Sequence, residues 1–388
     1  MYRVIIIVIL LFTTYTVSAQ NDYISADKVT YQYFMDGNWD ELIDSTEQFL
    51  SEGIDFKTLR QRLGYAYFMK TDYVEASIQY KHAFDFDNSD IISIQYLYFS
   101  YLNSGNKIMS NYYANKLPPE TQEKLNLKSF RIIDAFDFEY NYKTAFGDDR
   151  LAPSFLRFGV NSQLAYNLNL YQTISNYKQS FYSTYSTIQN EYFGLLNFTA
   201  TDNLNLLAGY HYINALVDTS TNISHIFLGK VVYQLNRFNF GIIYSFFNTE
   251  LINKNQVGLQ IGALIPGVHN TYLSSTLYNL SNSTNIAWVF NQTVGALITK
   301  KVWAEGHVTF GNLLNFIDLN GLYVYNSIDP ITFRAGLSLY YYLNKHFSIY
   351  SNYTYSERNI IDYDVNYTQN SITGYTQHSI TGGIIWKI

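Results

Sequence analysis

Two hydrophobic periods divide the chain. Between Val29 and Leu117 apolar positions return at a spacing of about 34 residues, the length of a helical hairpin repeat. Val29, Leu63 and Leu97 hold one register, Tyr33, Tyr67 and Tyr101 another, and Phe34, Phe68 and Leu102 follow them. Polar turns recur at the same interval, at Gly37-Asn38, Thr71-Asp72 and Gly105-Asn106. About three units of two helices each are therefore expected, every unit burying its neighbour's apolar face. Pro118-Pro119 closes the array, because proline breaks a helix interior.

Beyond Arg131 the period becomes two. Phe238, Phe240, Ile242, Tyr244 and Phe246 share one face of a strand, with Arg237, Asn239, Gly241 and Ser245 opposite. Ile331, Phe333, Ala335, Leu337, Leu339 and Tyr341 repeat the pattern against Thr332, Arg334, Gly336, Ser338 and Tyr340. Val302/Ala304/Gly306/Val308/Phe310, Val257 to Ile265 and Leu204 to Tyr212 alternate in the same way. The segments run about 10–14 residues, enough for a tilted strand to cross a bilayer. Strands in hydrocarbon must pair every backbone group, so they have to close into a barrel. Rings at segment ends, such as Trp303 and Tyr340-Tyr341-Tyr342, are expected at the water interface.

Composition sharpens the division. Of 388 residues only 14% are charged, against roughly a quarter in ordinary soluble domains, while 18% are aromatic, with 39 Tyr and 27 Phe. The scarcity of charge lies in the second part, which a soluble sandwich would not share. A net charge of -6 argues against a nucleic-acid partner, which needs basic groups to neutralise phosphate. Without cysteine there is no disulfide and no thiolate metal site.

The first nineteen residues read as an export signal: Arg3, the apolar run Val4 to Phe12, then Val17-Ser18-Ala19 before Gln20. The predicted organisation is a signal peptide at 1–19, a helical repeat domain at 20–129 and an antiparallel transmembrane β-barrel at 130–388. Segment counting predicts about fourteen strands, within twelve to sixteen. Thr201-Asp202-Asn203, Leu235-Asn236-Arg237 and Asn344-Lys345 read as short turns on one side, and Asn359 to Gly374 as a long loop on the other. Alternating the sides fails somewhere in 250–330, so one segment there is miscut.

The middle helical unit, with Leu63-Gly64, Tyr67, Ala76, Tyr80 and Ala83, resembles the tetratricopeptide repeat; Leu42 and Ser110 depart from it at the place of Ala76. The last strand, with Ile380, Gly382, Ile384, Trp386 and Ile388, is similar to the terminal strand of Gram-negative outer-membrane barrels, which usually end on an aromatic. Together these parts resemble two groups, the YaiO-like outer-membrane barrel proteins and the repeat-plus-porin components that export exopolysaccharide. The resemblance implies an outer-membrane barrel with its repeats in the periplasm, and it carries over no functional residue.

Parity places Arg157, Asn161, Gln163, Glu305, His307 and Arg334 inside the barrel, where they would line any lumen. Inward Phe193, Leu195, Ile243 and Tyr340 leave two alternatives open, a water-filled lumen and a largely plugged one. Asp85, Asp87 and Asp90 form an acidic patch after the best repeat, a candidate surface for a basic partner. Asp362, Asp364 and Asn366 open like a calcium loop, but Tyr367 and Thr373 stand where Gly and Glu are required. Expected is a non-enzymatic protein without cofactor or metal, whose repeats dock a periplasmic or outer-membrane partner or a substrate such as a polysaccharide, while the lipid-embedded barrel anchors or transports. The alternatives are an export porin for exopolysaccharide or small solutes, and a lipid-modifying barrel enzyme built on His211 or on Glu305 and His307.

Overall fold

The computed structural model describes residues 22–127, 132–144, 151–181, 186–249, 252–265, 267, 269–282, 285–326, 329–363 and 369–388. The expected signal peptide and Asp364 and Asn366 of the calcium-like stretch lie outside them. The chain divides into two compact units, one helical and one of strands.

The helical unit comprises α1 (22–36), α2 (Trp39–Ser51), α3 (Lys57–Met69), α4 (Tyr73–Phe86), α5 (Ile91–Asn103), α6 (Lys107–Lys116) and α7 (Pro119–Lys124). Helices α2, α4 and α6 start 34 residues apart, each after a turn residue in the left-handed region: Gly37, Thr71 and Gly105. The caps repeat too, since Asp72 accepts from the Glu75 N–H at 3.2 Å and Asn106 from the Met109 N–H at 3.1 Å. Leu42, Leu59, Leu63, Leu97, Tyr80 and Tyr113 are sealed between the helices. Gly64 lets α3 and α4 approach, because a Cβ there would stand 2.8 Å from the Tyr80 ring.

The second unit is a closed barrel of fourteen antiparallel strands. They are β1 (Ile133–Lys143), β2 (Ser154–Ala165), β3 (Leu168–Ser180), β4 (Ser186–Thr199), β5 (Leu204–Val217), β6 (Ser220–Leu235), β7 (Phe238–Thr249), β8 (Asn253–Ile265), β9 (Thr271–Ser281), β10 (Ile286–Thr299), β11 (Val302–Gly311), β14 (Ile331–Tyr342), β15 (Phe347–Tyr363) and β16 (Gln369–Lys387). Strand β1 pairs with both β2 and β16, which leaves no free edge. The predicted alternation holds along β7: Phe238, Phe240, Ile242 and Tyr244 face outward, whereas Ile243, Ser245 and Phe247 are buried inside. Ile174, Leu259, Ile261, Leu339, Ile384 and Trp386 extend this exposed apolar belt. Among the described residues no helix is long and apolar enough to cross a membrane, so any crossing falls to the strands.

The turns predicted at 201–203, 235–237 and 344–345 share one rim with both ends of the barrel. Longer connections occupy the opposite rim. Two expectations need correction. The supposed loop from Asn359 to Gly374 is mostly ladder, since Asn359 pairs with Gly374 and Tyr363 with Gln369. A bulge between Ile331 and Phe333 turns Ile331 inward, where it is buried. Trp303 and Tyr340, cross-strand partners near the short-turn rim, lie inward as the parity of Tyr340 predicts. The parity conflict at 250–330 also resolves: residues 312–326 are not a barrel strand but a segment folded into the lumen.

Candidate functional site: a hairpin clamped inside the barrel

The inserted segment carries β12 (Ile317–Asp318), a short turn (Leu319–Gly321) and β13 (Tyr323–Val324). Its sequence explains both its place and its grip. Leu313, Phe316 and Ile317 are apolar and almost wholly buried against Ile226, Ile243, Phe247, Tyr278, Leu280 and Val289 of the inner wall. Phe316 meets Tyr278 edge-on, with centroids 5.0 Å apart. An apolar patch on one wall thus draws the hairpin to that side of the lumen.

Polar side chains hold the rest. Gln256 of β8 binds the Ile317 backbone twice, donating to its carbonyl at 2.7 Å and accepting from its N–H at 3.0 Å. The side-chain amide acts as a strand partner, satisfying backbone groups that no sheet reaches. Asp318 accepts from the Leu319 N–H at 2.8 Å, from Asn291 at 3.3 Å and from Tyr325 at 3.3 Å, and pairs with Arg334 at 3.4 Å. On the far wall Glu139 accepts from Tyr323 at 2.9 Å, Tyr350 at 2.6 Å and Arg157 at 2.7 Å. The Arg157 guanidinium also lies 4.9 Å from the Tyr323 ring centre.

The hairpin's tip is strained and pinned. Leu319, Asn320 and Gly321 all have positive φ, a run that costs roughly 1–2 kcal/mol for each residue with a Cβ. His211 of β5 donates from Nδ1 to the Gly321 carbonyl at 2.8 Å, and Lys230 of β6 donates to Asn320 Oδ1 at 3.0 Å. His211 Nε2 stands 3.3 Å from Glu191, which also accepts from Ser175 at 2.8 Å. Gln189 bonds both Glu191 and Asn326, tying β4 to the segment beyond the hairpin.

Four of the six candidate lumen residues come together near the hairpin or its neighbours. Arg157 and Arg334 clamp it; His307 lies beneath Gly336 on the adjoining strand; Glu305 accepts from the Tyr272 hydroxyl. Asn161 and Gln163 stand apart on β2, bonded to Asp134 at 3.2 Å and to the Ala165 carbonyl at 2.6 Å. Arg157 Nε and Nη1 and His307 Nε2 are buried without a hydrogen-bond partner among the described residues.

At His211 no nucleophile–base pair is assembled. His211 has one ring nitrogen on a backbone carbonyl and the other against a carboxylate, and the Ser175 hydroxyl donates to Glu191 rather than to the ring. A nucleophile's base must instead be aimed at its hydroxyl. His211 is a clamp. In the helical unit Asp90 caps α5 through the Ser93 N–H at 2.7 Å and pairs with Lys57 at 3.4 Å; Asp87 pairs with the same lysine at 3.2 Å, and Asp85 with Lys81. Lys57 is accordingly held above its usual range by the Asp87 hydrogen bond, and Asp87 below its own by the Ser89 hydroxyl and N–H. Much of the proposed acidic surface is therefore already engaged.

Parity could not find Glu139, Gln256, Asp318 or Tyr323 as a set, because their partners are brought together only by the fold. The signal that was available is the loss of alternation from Asn312 to Pro330.

No family model and no curated protein matches the chain. Solved structures that it is similar to include a bacterial polysaccharide outer membrane secretin, at 11% identity and a TM-score of 0.38, covering 66% of this chain and 99% of that one. A Pseudomonas aeruginosa FadL homologue matches at 8% and 0.41, covering 65% and 89%. The Acinetobacter baumannii outer membrane protein Omp33 matches at 9% and 0.38, covering 66% and 99%.

Proposed function

We propose that the protein is a non-enzymatic outer-membrane barrel whose lumen is closed at rest by the 312–326 hairpin and opens when the hairpin's polar clamps are exchanged. The single observation behind this reading is the chemistry of the clamp. One side of the hairpin rests on an apolar wall, but the other is held by Asp318–Arg334, Glu139–Tyr323 and Lys230–Asn320, contacts that water or a solute can replace. A purely structural plug would have no need of charged partners that cost several kcal/mol to desolvate.

In the same reading the short-turn rim and the helical unit face the periplasm, in keeping with the short periplasmic turns of bacterial barrels. The helical unit acts as a tetratricopeptide-like scaffold that docks a partner or substrate, and the barrel anchors it or passes the solute. Arg157, Arg334, Glu305 and His307 would then line the path once the hairpin moves, and Asp85 is the carboxylate of the acidic patch left most open to a partner. Cell fractionation with heat-modifiable gel mobility tests the placement. Recovery in the outer membrane with a mobility shift on boiling is expected; recovery in the soluble periplasm without a shift would overturn it.

A further inference from the structure

The inner wall near the short-turn rim carries an arc of flat rings, of which only Tyr350 also reaches the clamp, through its hydroxyl on Glu139. Tyr272, Trp303, Tyr340 and Tyr350 lie on β9, β11, β14 and β15 and are partly exposed. Trp303, Tyr340 and Tyr350 are direct cross-strand partners, followed in the same row by Gly383. Tyr272 stacks on Trp303 with centroids 5.8 Å apart at 12°, and Tyr340 on Tyr350 at 5.3 Å and 28°.

Two glycines allow the rings to lie along the wall. A Cβ at Gly295 would stand 2.3 Å from Tyr272 and 2.7 Å from Trp303, and one at Gly383 would stand 2.3 Å from Tyr350. Beside the arc, Glu305 is held by the Tyr272 hydroxyl through one oxygen, and its other oxygen has no partner among the described residues.

We propose that this arc is a binding site for uncharged glycan chains. A pyranose presents an apolar C–H face, which stacks on flat rings, and a rim of hydroxyls, which a carboxylate oxygen accepts from. Rings with bonded hydroxyls at their edges suit such a ligand better than a hydrocarbon. Among the described residues Glu305 has no cation partner, so its carboxylate repels a uronate. The site sits at the mouth that a periplasmic chain would meet first in the reading above, on which this inference rests.

The test uses the full-length protein in detergent, titrated calorimetrically with maltohexaose and cellohexaose, and with trigalacturonate and toluene for comparison. Saturable binding of at least one neutral hexasaccharide is expected. Trp303→Ala and Tyr340→Ala should each weaken it about tenfold, with Trp303→Phe retaining most of the affinity and Trp288→Phe, on the outer face, changing nothing. Should Trp303→Ala fail to give a heat-modifiable barrel, Tyr340→Ala and Glu305→Gln decide. No saturable binding, equal binding of trigalacturonate, a preference for toluene, or affinity indifferent to the ring variants would each overturn the proposal. A protein that fractionates to the outer membrane yet binds no sugar would refute this site and leave the barrel reading standing.

Discussion

The two units use the same residue types in opposite senses. In the helical unit Tyr80 and Tyr113 are sealed between helices, and the surface carries ion pairs such as Arg60–Asp55 and Lys57–Asp87. In the barrel Tyr244 and Tyr353 point outward among Ile242, Leu337 and Ile349, and the charged groups Glu139, Arg157 and Asp318 are buried inside. The first unit turns its apolar side chains inward and the second turns many of them outward. The lesson concerns specificity: helices are fixed by apolar contacts, whereas the barrel's interior is fixed by hydrogen bonds between particular partners.

That comparison can be broken at five points, in order of expected effect. Tyr80→Ala removes a fully buried ring from the helical core and should cost about 3–5 kcal/mol in the helical transition, followed at 222 nm. The heat-modifiable mobility of the barrel should not change, because each unit has its own core. A barrel that fails to form would show the two to be coupled. On the outer face Ile242→Arg should cost about 2–4 kcal/mol in refolding from urea into bilayers, if that residue faces lipid near mid-depth. A cost under about 0.5 kcal/mol, the size of an ordinary surface change, would place the belt in water.

The lumen gives the third. The chain has no cysteine, so Asn315→Cys introduces a single label site on the hairpin. Maleimide labelling should accelerate when Arg334→Ala or Glu139→Gln is added, since each leaves a buried partner uncompensated. Unchanged labelling would mean that the apolar wall alone holds the hairpin.

The fourth effect is pH. His82 in α4 is pushed below its usual value by burial and then by the Arg60 guanidinium. The unfolded chain therefore takes up a proton near pH 6.5 that the folded unit resists, so helical stability should fall as pH drops through 6.5 and level off below the folded value. Asp90, held low by the Ser93 N–H and Lys57 despite opposing burial, adds a further loss below about pH 4. Thermal melts of the 222 nm signal between pH 8 and 3 read both steps; His82→Gln should remove only the first. The smallest structural effect belongs to Asp85, Asp87 and Asp90 changed together to Asn, because Asn still caps a helix. Pull-down from solubilised membranes should nevertheless lose any basic partner, and an unchanged set of bound proteins would leave the patch as ordinary surface.

Much of the fold was legible because both units follow simple periods. The 34-residue spacing located the turns at Gly37, Thr71 and Gly105, and the period of two located the strands. What escaped was whatever breaks a period locally. The bulge beside Ile331 reversed one side chain, and the hairpin at 312–326 carries no period at all. Its partners Gln256, Glu139 and Asn291 sit on strands β8, β1 and β10, up to 184 residues away along the chain, so no local pattern could join them.

The central claim is that this hairpin closes the lumen, and conductance across a planar bilayer tests it most directly. The intact protein should give few and small openings, while deletion of residues 314–325, in a barrel that still shows heat-modifiable mobility, should give steady open channels. Arg334→Ala should fall between them. Equal conductance in the intact and deleted proteins, whether both open or both silent, would contradict the account.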